Sequence, residues 1–293
     1  MDTDTAEIKN TPEARQDTAP QPEEGGLLSY YSTLYNICQE EKINFQFLSR
    51  NWVKRLEKDG KVRFITGYKF DLNSHALGEV LDDKFALFSA LEYAKVPVTE
   101  HAIFYSPSCQ HNYAQGCNSL AYAHAYWLEH GRDIVMKPNN GTGGRGIFRV
   151  QSEAELAPAF WEVLRRGYSG SMCPFYKIRH EYRMILLDDE VRVSYMKTLP
   201  GAGAWKFNLQ QGSQSEEIPP EKRPAIEALA KQASRAIGLR FGSVDIIKTE
   251  TGELMIMEIN SGVMTRKYLA QHPERYPEVK AMYRDAIRKM FAD

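Results

Sequence analysis

The sequence predicts an α+β fold with more than one lobe, and three observations support this. Strand pairs recur around turn residues, as in 181–187 and 191–197 about Asp188-Asp189, and 243–248 and 254–259 about Thr251-Gly252. Amphipathic helical segments fall between such pairs rather than between every two strands, the pattern of mixed sheets and not of a doubly wound parallel one. With 293 residues and 43% hydrophobic content, the chain can bury one extended core or two or three packed lobes.

Residues 1–26 are rich in Asp, Glu, Thr, Pro and Gln, with no series of large apolar side chains, so a disordered tail is expected there. A small N-terminal α/β lobe follows over 27–75. It comprises a helix at 30–41 with Tyr31, Leu34, Tyr35 and Cys38 on one face, a strand at 45–48, a helix at 52–58 stopped by Asp59-Gly60, and a strand at 62–67. The remainder, 76–293, divides into a central lobe to residue 175 and a C-terminal lobe from 176. The central lobe opens with a helix over 82–94 that aligns Phe85, Phe88 and Leu91. Extended segments at 96–98 and 103–105 and a helix at 119–129 come next. Residues 134–138 read as a buried strand stopped by a proline, with a hairpin partner at 147–150. Ser152 and Glu155 form a capping box that opens a helix at 152–165. In the C-terminal lobe, helices at 224–237, ended by Gly238, and 278–291 accompany the two hairpins.

Lys and Arg total 37 and Asp and Glu 38, a formal net charge of -1, so composition makes no case for nucleic acid or an anionic membrane. The four cysteines show no CxxC spacing and read as free thiols. No apolar run approaches the roughly 20 residues that span a bilayer, and no secretory signal is visible. A cytoplasmic protein is expected.

Several segments carry chemistry. Lys137-Pro138-Asn139-Asn140 leads into Gly141-Thr142-Gly143-Gly144-Arg145-Gly146. Glycines let backbone N–H groups approach phosphate oxygens, and a strand-borne lysine adds a point charge. A flexible hairpin is the alternative for the loop alone. Asp245, Glu258 and Asn260 sit on the last strand pair, with Glu258 and Asn260 two apart and therefore on one face. Two carboxylates and an amide oxygen are hard donors suited to Mg²⁺; a solvated polar face is the alternative. Arg183 opens a strand where a guanidinium could stabilise a developing oxyanion. Asp83-Lys84 starts a helix. Pro174-Phe175-Tyr176-Lys177-Ile178 is an apolar connector of the kind that can flank a purine. Cys109, His111, Cys117 and His124 match no structural zinc spacing.

The order of these elements — Lys84, Lys137 with its glycine loop, the connector 174–178, Arg183, Asp245, and Glu258-x-Asn260 — resembles the ATP-grasp superfamily, two α+β lobes clasping ATP, and within it the RimK-type glutamate ligases. The resemblance covers about 75–270. It implies that Lys84 and Lys137 bind the α- and β-phosphates and that Gly141, Thr142, Gly143, Gly144 and Gly146 close over them. Phe175, Tyr176, Lys177 and Ile178 would hold adenine. Asn208 matches a position that holds asparagine in relatives. Asp245, Glu258 and Asn260 would hold two Mg²⁺ ions, with Mn²⁺ as an alternative. Arg183, Asn260 and Lys137 would be catalytic, and Arg266 and Lys267 would face a substrate carboxylate. The implied activity is an ATP-dependent carboxylate–amine ligase acting through an acyl phosphate on small-molecule or peptide partners. A homo-oligomer is compatible with it. An ATP-grasp kinase acting on a hydroxyl and a non-catalytic nucleotide-binding module are the alternatives. The N-terminal lobe carries no assignable motif.

Overall fold

The computed structural model describes residues 29–141, 144–199, 201, 207, 209 and 212–292. The expected tail at 1–26 lies outside them. Helix α1 (Tyr30–Glu40) is capped by Ser29, whose hydroxyl accepts from Ser32 N–H at 3.1 Å. An antiparallel sheet follows, formed by β1 (Asn44–Leu48), β2 (Val53–Lys58), β3 (Lys61–Thr66) and β4 (Lys69–Phe70) in sequential order.

Strand β2 corrects the helix expected at 52–58. Its Lys, Arg, Leu and Glu are good helix formers, but it is paired on both sides, by β1 and by β3, and tertiary pairing overrides so weak a local preference. Ser49, Arg50 and Asn51 all take positive φ in the turn before it. Alternation then buries Lys54 and Leu56.

The helix expected over 82–94 is α3 (Lys84–Tyr93), and it is preceded by one not expected from the sequence, α2 (His75–Asp82). Asp83 breaks them. Its backbone is extended and its carboxylate accepts from Ala86 N–H at 2.8 Å, the geometry of an N-cap.

A second sheet contains β5 (Ala102–Tyr105), β6 (Ile134–Pro138), β7 (Phe148–Val150) and β8 (Ser169–Pro174) in the order β5-β8-β6-β7. Helices α4 (Leu120–Glu129) and α5 (Glu153–Leu164) pack on it around Phe104, Trp127, Met136, Phe160 and Met172. Strand β8 has no signal in the sequence, because Ser169-Gly170-Ser171 lacks strand-forming side chains. Gly170 is there for space: a Cβ would lie 2.1 Å from Phe104 Cζ.

The largest sheet holds β9 (Ile178–Leu187), β10 (Glu190–Thr198), β11 (Gln214–Glu216), β12 (Phe241–Thr249) and β13 (Leu254–Asn260), all antiparallel, in the order β11-β10-β9-β12-β13. One face, with Tyr182, Met184, Leu186, Val244 and Ile246, is covered by α6 (Arg223–Ile237), α2 and α3. Thus α2 and α3, expected to belong to the central lobe, pack on the C-terminal sheet. The far end of the opposite face, with Ile185, Leu187 and Phe241, packs against α1, the first sheet and α8 (Tyr276–Ala292). The N-terminal elements therefore share a core with the C-terminal helix. The rest of that face looks into a cleft beneath the second sheet. No helix among the described residues is long and apolar enough to cross a membrane.

Candidate active site

The cleft encloses a cavity of about 670 Å³. Of the residues singled out from sequence, Lys84, Lys137, Gly141, Gly144, Phe175, Tyr176, Ile178, Arg183, Asp245, Glu258, Asn260 and Lys267 line it. Gly146 is not a lining residue; it packs on Arg166, whose Cδ would lie 2.9 Å from an added Cβ. Lys177 and Arg266 are exposed and outside the lining. Thr142, Gly143 and Asn208 fall outside the described residues.

Strand register explains the convergence. Tyr195, Arg183, Asp245 and Glu258 are successive cross-strand partners on β10, β9, β12 and β13, so they form one row across the sheet. A neighbouring row carries Lys197 and Glu181. An irregularity opposite Asp245 and Ile246 places one extra residue on β13. Both Met257 and Glu258 consequently reach the cavity, which strict alternation would forbid.

At the β13 end of the row stand two lysines. Lys137 comes from β6. Lys84, the first residue of α3, donates from Nζ to the carbonyls of Asn139 at 3.0 Å and Gly141 at 2.9 Å. Asn139 is fully buried and ties helix to loop: its amide donates to Asp83 Oδ2 at 2.6 Å and accepts from Phe85 N–H at 3.3 Å. The Lys84 ammonium lies below its ordinary pKa. Burial lowers it most, Glu258 opposes this, and Lys137 lowers it further. Among the described residues Lys137, Glu258 and Asn260 have no ion pair or side-chain hydrogen bond, so their charges and donors are free to meet a ligand. Behind Lys137 lies His101, buried, with Nδ1 2.6 Å from Ser171 Oγ. Burial first, then Lys137 and Lys84, hold its pKa well below the ordinary value, which keeps it neutral.

The middle of the row is a buried charge cluster. Arg183 grips Asp245 with two parallel bonds, Nε to Oδ1 at 2.7 Å and a terminal nitrogen to Oδ2 at 2.6 Å. Lys197 Nζ donates to Asp245 at 3.3 Å and to Glu181. Burial pushes the Glu181 carboxyl up to about 7, with Asp245 adding to the rise and Lys197 opposing it. Burial would also raise Asp245, but Arg183 and Lys197 overcome it and hold the carboxyl at about 2. Neither Lys197 nor Glu181 stood out in the sequence.

Phe175, Tyr176 and Ile178 line the cavity with Val135, Ile147, Ile247 and Met257, an apolar slot between the two sheets. Tyr176 is fixed by accepting from Glu100 N–H at 3.0 Å. The Arg149 guanidinium stacks 3.4 Å over the Phe175 ring and forms a two-bond pair with Asp133.

The donors fit a divalent cation shared with phosphate oxygens. Glu258 and Asn260 present free hard oxygens, whereas three bonds to Arg183 and Lys197 already occupy much of Asp245.

Two α+β bodies closing on a cleft, with lysines from both above a carboxylate-bearing sheet, define an ATP-grasp fold. Solved structures agree. D-cycloserine synthetase DcsG superposes with a TM-score of 0.53 at 19% identity, covering 72% of this chain and 71% of that one. The D-alanine–D-alanine ligase of Bacillus anthracis gives 0.54 at 14% identity, covering 73% and 69%.

Residues 132–272 match the family model described as a RimK-like ATP-grasp domain. The chain is 35% identical over 144 residues to the tetrahydromethanopterin:alpha-L-glutamate ligase of Methanocaldococcus jannaschii, 46% of this chain and 47% of that protein. It is 30% identical over 173 residues to the glutathione synthetase of Salmonella typhimurium, 57% of this chain and 53% of that protein. The chain thus matches about half the length of these curated relatives.

Proposed function

We propose that the protein is an ATP-dependent carboxylate–amine ligase. The observation that supports this best is the convergence of Lys84, Lys137, Glu258 and Arg183 on one cavity. The names of the relatives, a glutamate ligase and a glutathione synthetase, point to the same reaction class. Adenine occupies the apolar slot at Phe175, Tyr176 and Ile178, and the phosphates extend toward Lys84 and Lys137 beneath the glycine loop. Glu258 and Asn260, with the remaining capacity of Asp245, hold Mg²⁺, which neutralises phosphate charge.

A carboxylate is a poor electrophile because its charge repels an amine. Its oxygen attacks the γ-phosphorus and breaks the bond to the β-γ bridging oxygen, giving an acyl phosphate and ADP. Lys137 offsets the charge that moves in this step. The amine then attacks the acyl carbon and loses a proton, and inorganic phosphate leaves. Arg183, held flat by Asp245, stabilises the oxyanion of that tetrahedral centre. The lid over Gly141 and Gly144 excludes water that would hydrolyse the anhydride. Lys267 supplies a charge for a second anionic group of the substrate. All four cysteines are free thiols, which supports a reducing compartment such as the cytoplasm.

The test is trapping by hydroxylamine. With ATP, Mg²⁺ and a panel of carboxylic acids, the protein should release ADP and form hydroxamate in equal amounts. ADP release that needs an alcohol and yields no hydroxamate would make it a kinase. Neither product under any pairing would leave only a nucleotide-binding module.

A further inference from the structure

The row that ends at Glu258 on one side of Arg183 ends at Tyr195 on the other. With strands about 4.8 Å apart, these two positions are separated by roughly 14 Å across the sheet. The phosphate-binding groups occupy the Glu258 side, so whatever is joined at Arg183 extends toward Tyr195. That side of the cavity is walled by Tyr195, Tyr268, Phe207, Leu209 and Met264, with Trp52 from the N-terminal lobe. Tyr195 and Tyr268 stack with ring centroids 4.7 Å apart and planes 11° from parallel. They are only 2% and 6% exposed, and neither hydroxyl has a hydrogen-bond partner among the described residues. Trp52, by contrast, is 56% exposed, although it is large and apolar. Its ring lies so close over Gly67 that a Cβ there would come within 2.7 Å of it. A wall of this kind offers apolar surface with a few polar tips; the Lys197 ammonium, bonded like Arg183 to Asp245, is committed to Glu181 and Asp245, and Lys267, which also lines the cavity, is exposed.

We infer that the carboxylate substrate is an amino acid or peptide acid whose side chain is aromatic or large and apolar, seated between the Tyr195–Tyr268 pair and Met264. The inference rests on the ligase reading only in placing the reacting carboxylate at Arg183. A small or acidic side chain would leave this wall wet and bury no apolar surface. Burying one large apolar side chain corresponds to roughly a 10- to 150-fold gain in affinity.

Calorimetric titration of the full chain, saturated with a non-hydrolysable ATP analogue and Mg²⁺, tests the assignment, because the nucleotide blocks the adenine slot. The probes are N-acetyl-L-phenylalanine, N-acetyl-L-glutamate and N-acetylglycine, whose acetylated nitrogens cannot serve as the amine. The phenylalanine derivative should bind at least about tenfold more tightly than either other probe. Met264→Glu, at a half-buried position, should abolish that preference without weakening the nucleotide. Equal or tighter binding of the glutamate derivative, or no detectable binding of the phenylalanine derivative, would overturn the inference. So would a preference that survives in Met264→Glu. Hydroxamate formation in parallel samples, with ATP in place of the analogue and hydroxylamine added, reports separately on the ligase reading, so either idea can fail while the other stands.

Discussion

Lys197→Met isolates the buried charge cluster. Arg183 and Lys197 carry +1 each and Glu181 and Asp245 carry −1 each, so the four ionised groups balance at zero. Their side chains in the Lys197–Glu181 pair are 4% and 3% exposed, and that of Asp245 is 2%. Removing Lys197 leaves one uncompensated negative charge, and breaking a buried pair in this way costs about 3–5 kcal/mol. At about 2–4 °C per kcal/mol for a chain of this size, the melting midpoint should fall by roughly 6–20 °C at pH 7.5. The loss should shrink at acid pH. The Glu181 pKa, already up at about 7 in the folded protein, loses the ammonium that lowers it and rises further, so protonation relieves the imbalance. The sign follows from linkage: a carboxyl whose folded pKa is raised favours the folded state below its unfolded pKa, and that advantage disappears as pH rises through the folded value. Adding Glu181→Leu to Lys197→Met removes the charge left behind and should recover most of the stability, since the Arg183–Asp245 pair remains balanced. Differential scanning fluorimetry of the three proteins at pH 5.5 and 7.5 measures this. A shift below about 2 °C at pH 7.5, a larger loss at pH 5.5, or a double variant no better than the single would refute the reasoning.

Two other variants probe how the fold positions the site. Asn139→Ala removes the two bonds that the Asn139 side chain makes to the start of α3, at Asp83 and Phe85; urea denaturation should register a loss of about 1–3 kcal/mol, and the Michaelis constant for ATP should rise because the bonds of Lys84 to the loop carbonyls lose that support. Gly242→Ala would put a Cβ 2.7 Å from the Asn260 carbonyl and 2.9 Å from Leu239 Cδ1, so stability should fall by about 1–3 kcal/mol and hydroxamate formation should fall further as Asn260 is displaced; unchanged turnover would show that the Asn260 backbone does not position the site.

Much of the site was legible because its chemistry lies in short local patterns. Lys137 before a glycine-rich loop, and Glu258 and Asn260 two apart on a strand, need only strand periodicity to be placed. The hidden part depends on register. Leu187 opposes Glu190, but an irregularity between Val191 and Val193 shifts the pairing by one residue, so that Lys197 meets Glu181. Without that shift Glu181 would face the neighbouring Met196 position, and nothing in the sequence announces the extra residue. Strand β2 was hidden for a different reason: its side chains suit a helix, and two flanking strands decide otherwise. Asn139 looked like a loop residue, yet it is completely buried because the start of α3, far away in sequence, closes over it.

Everything proposed for catalysis depends on one triphosphate lying between Lys137 and Glu258. Because Lys137 has no ion-pair partner among the described residues, Lys137→Ala breaks no internal pair and leaves the fold intact. Equilibrium binding of a non-hydrolysable ATP analogue with Mg²⁺ should weaken by about tenfold or more in that variant, the value of a charge-assisted phosphate contact. An affinity equal to that of the parent protein would place the nucleotide elsewhere.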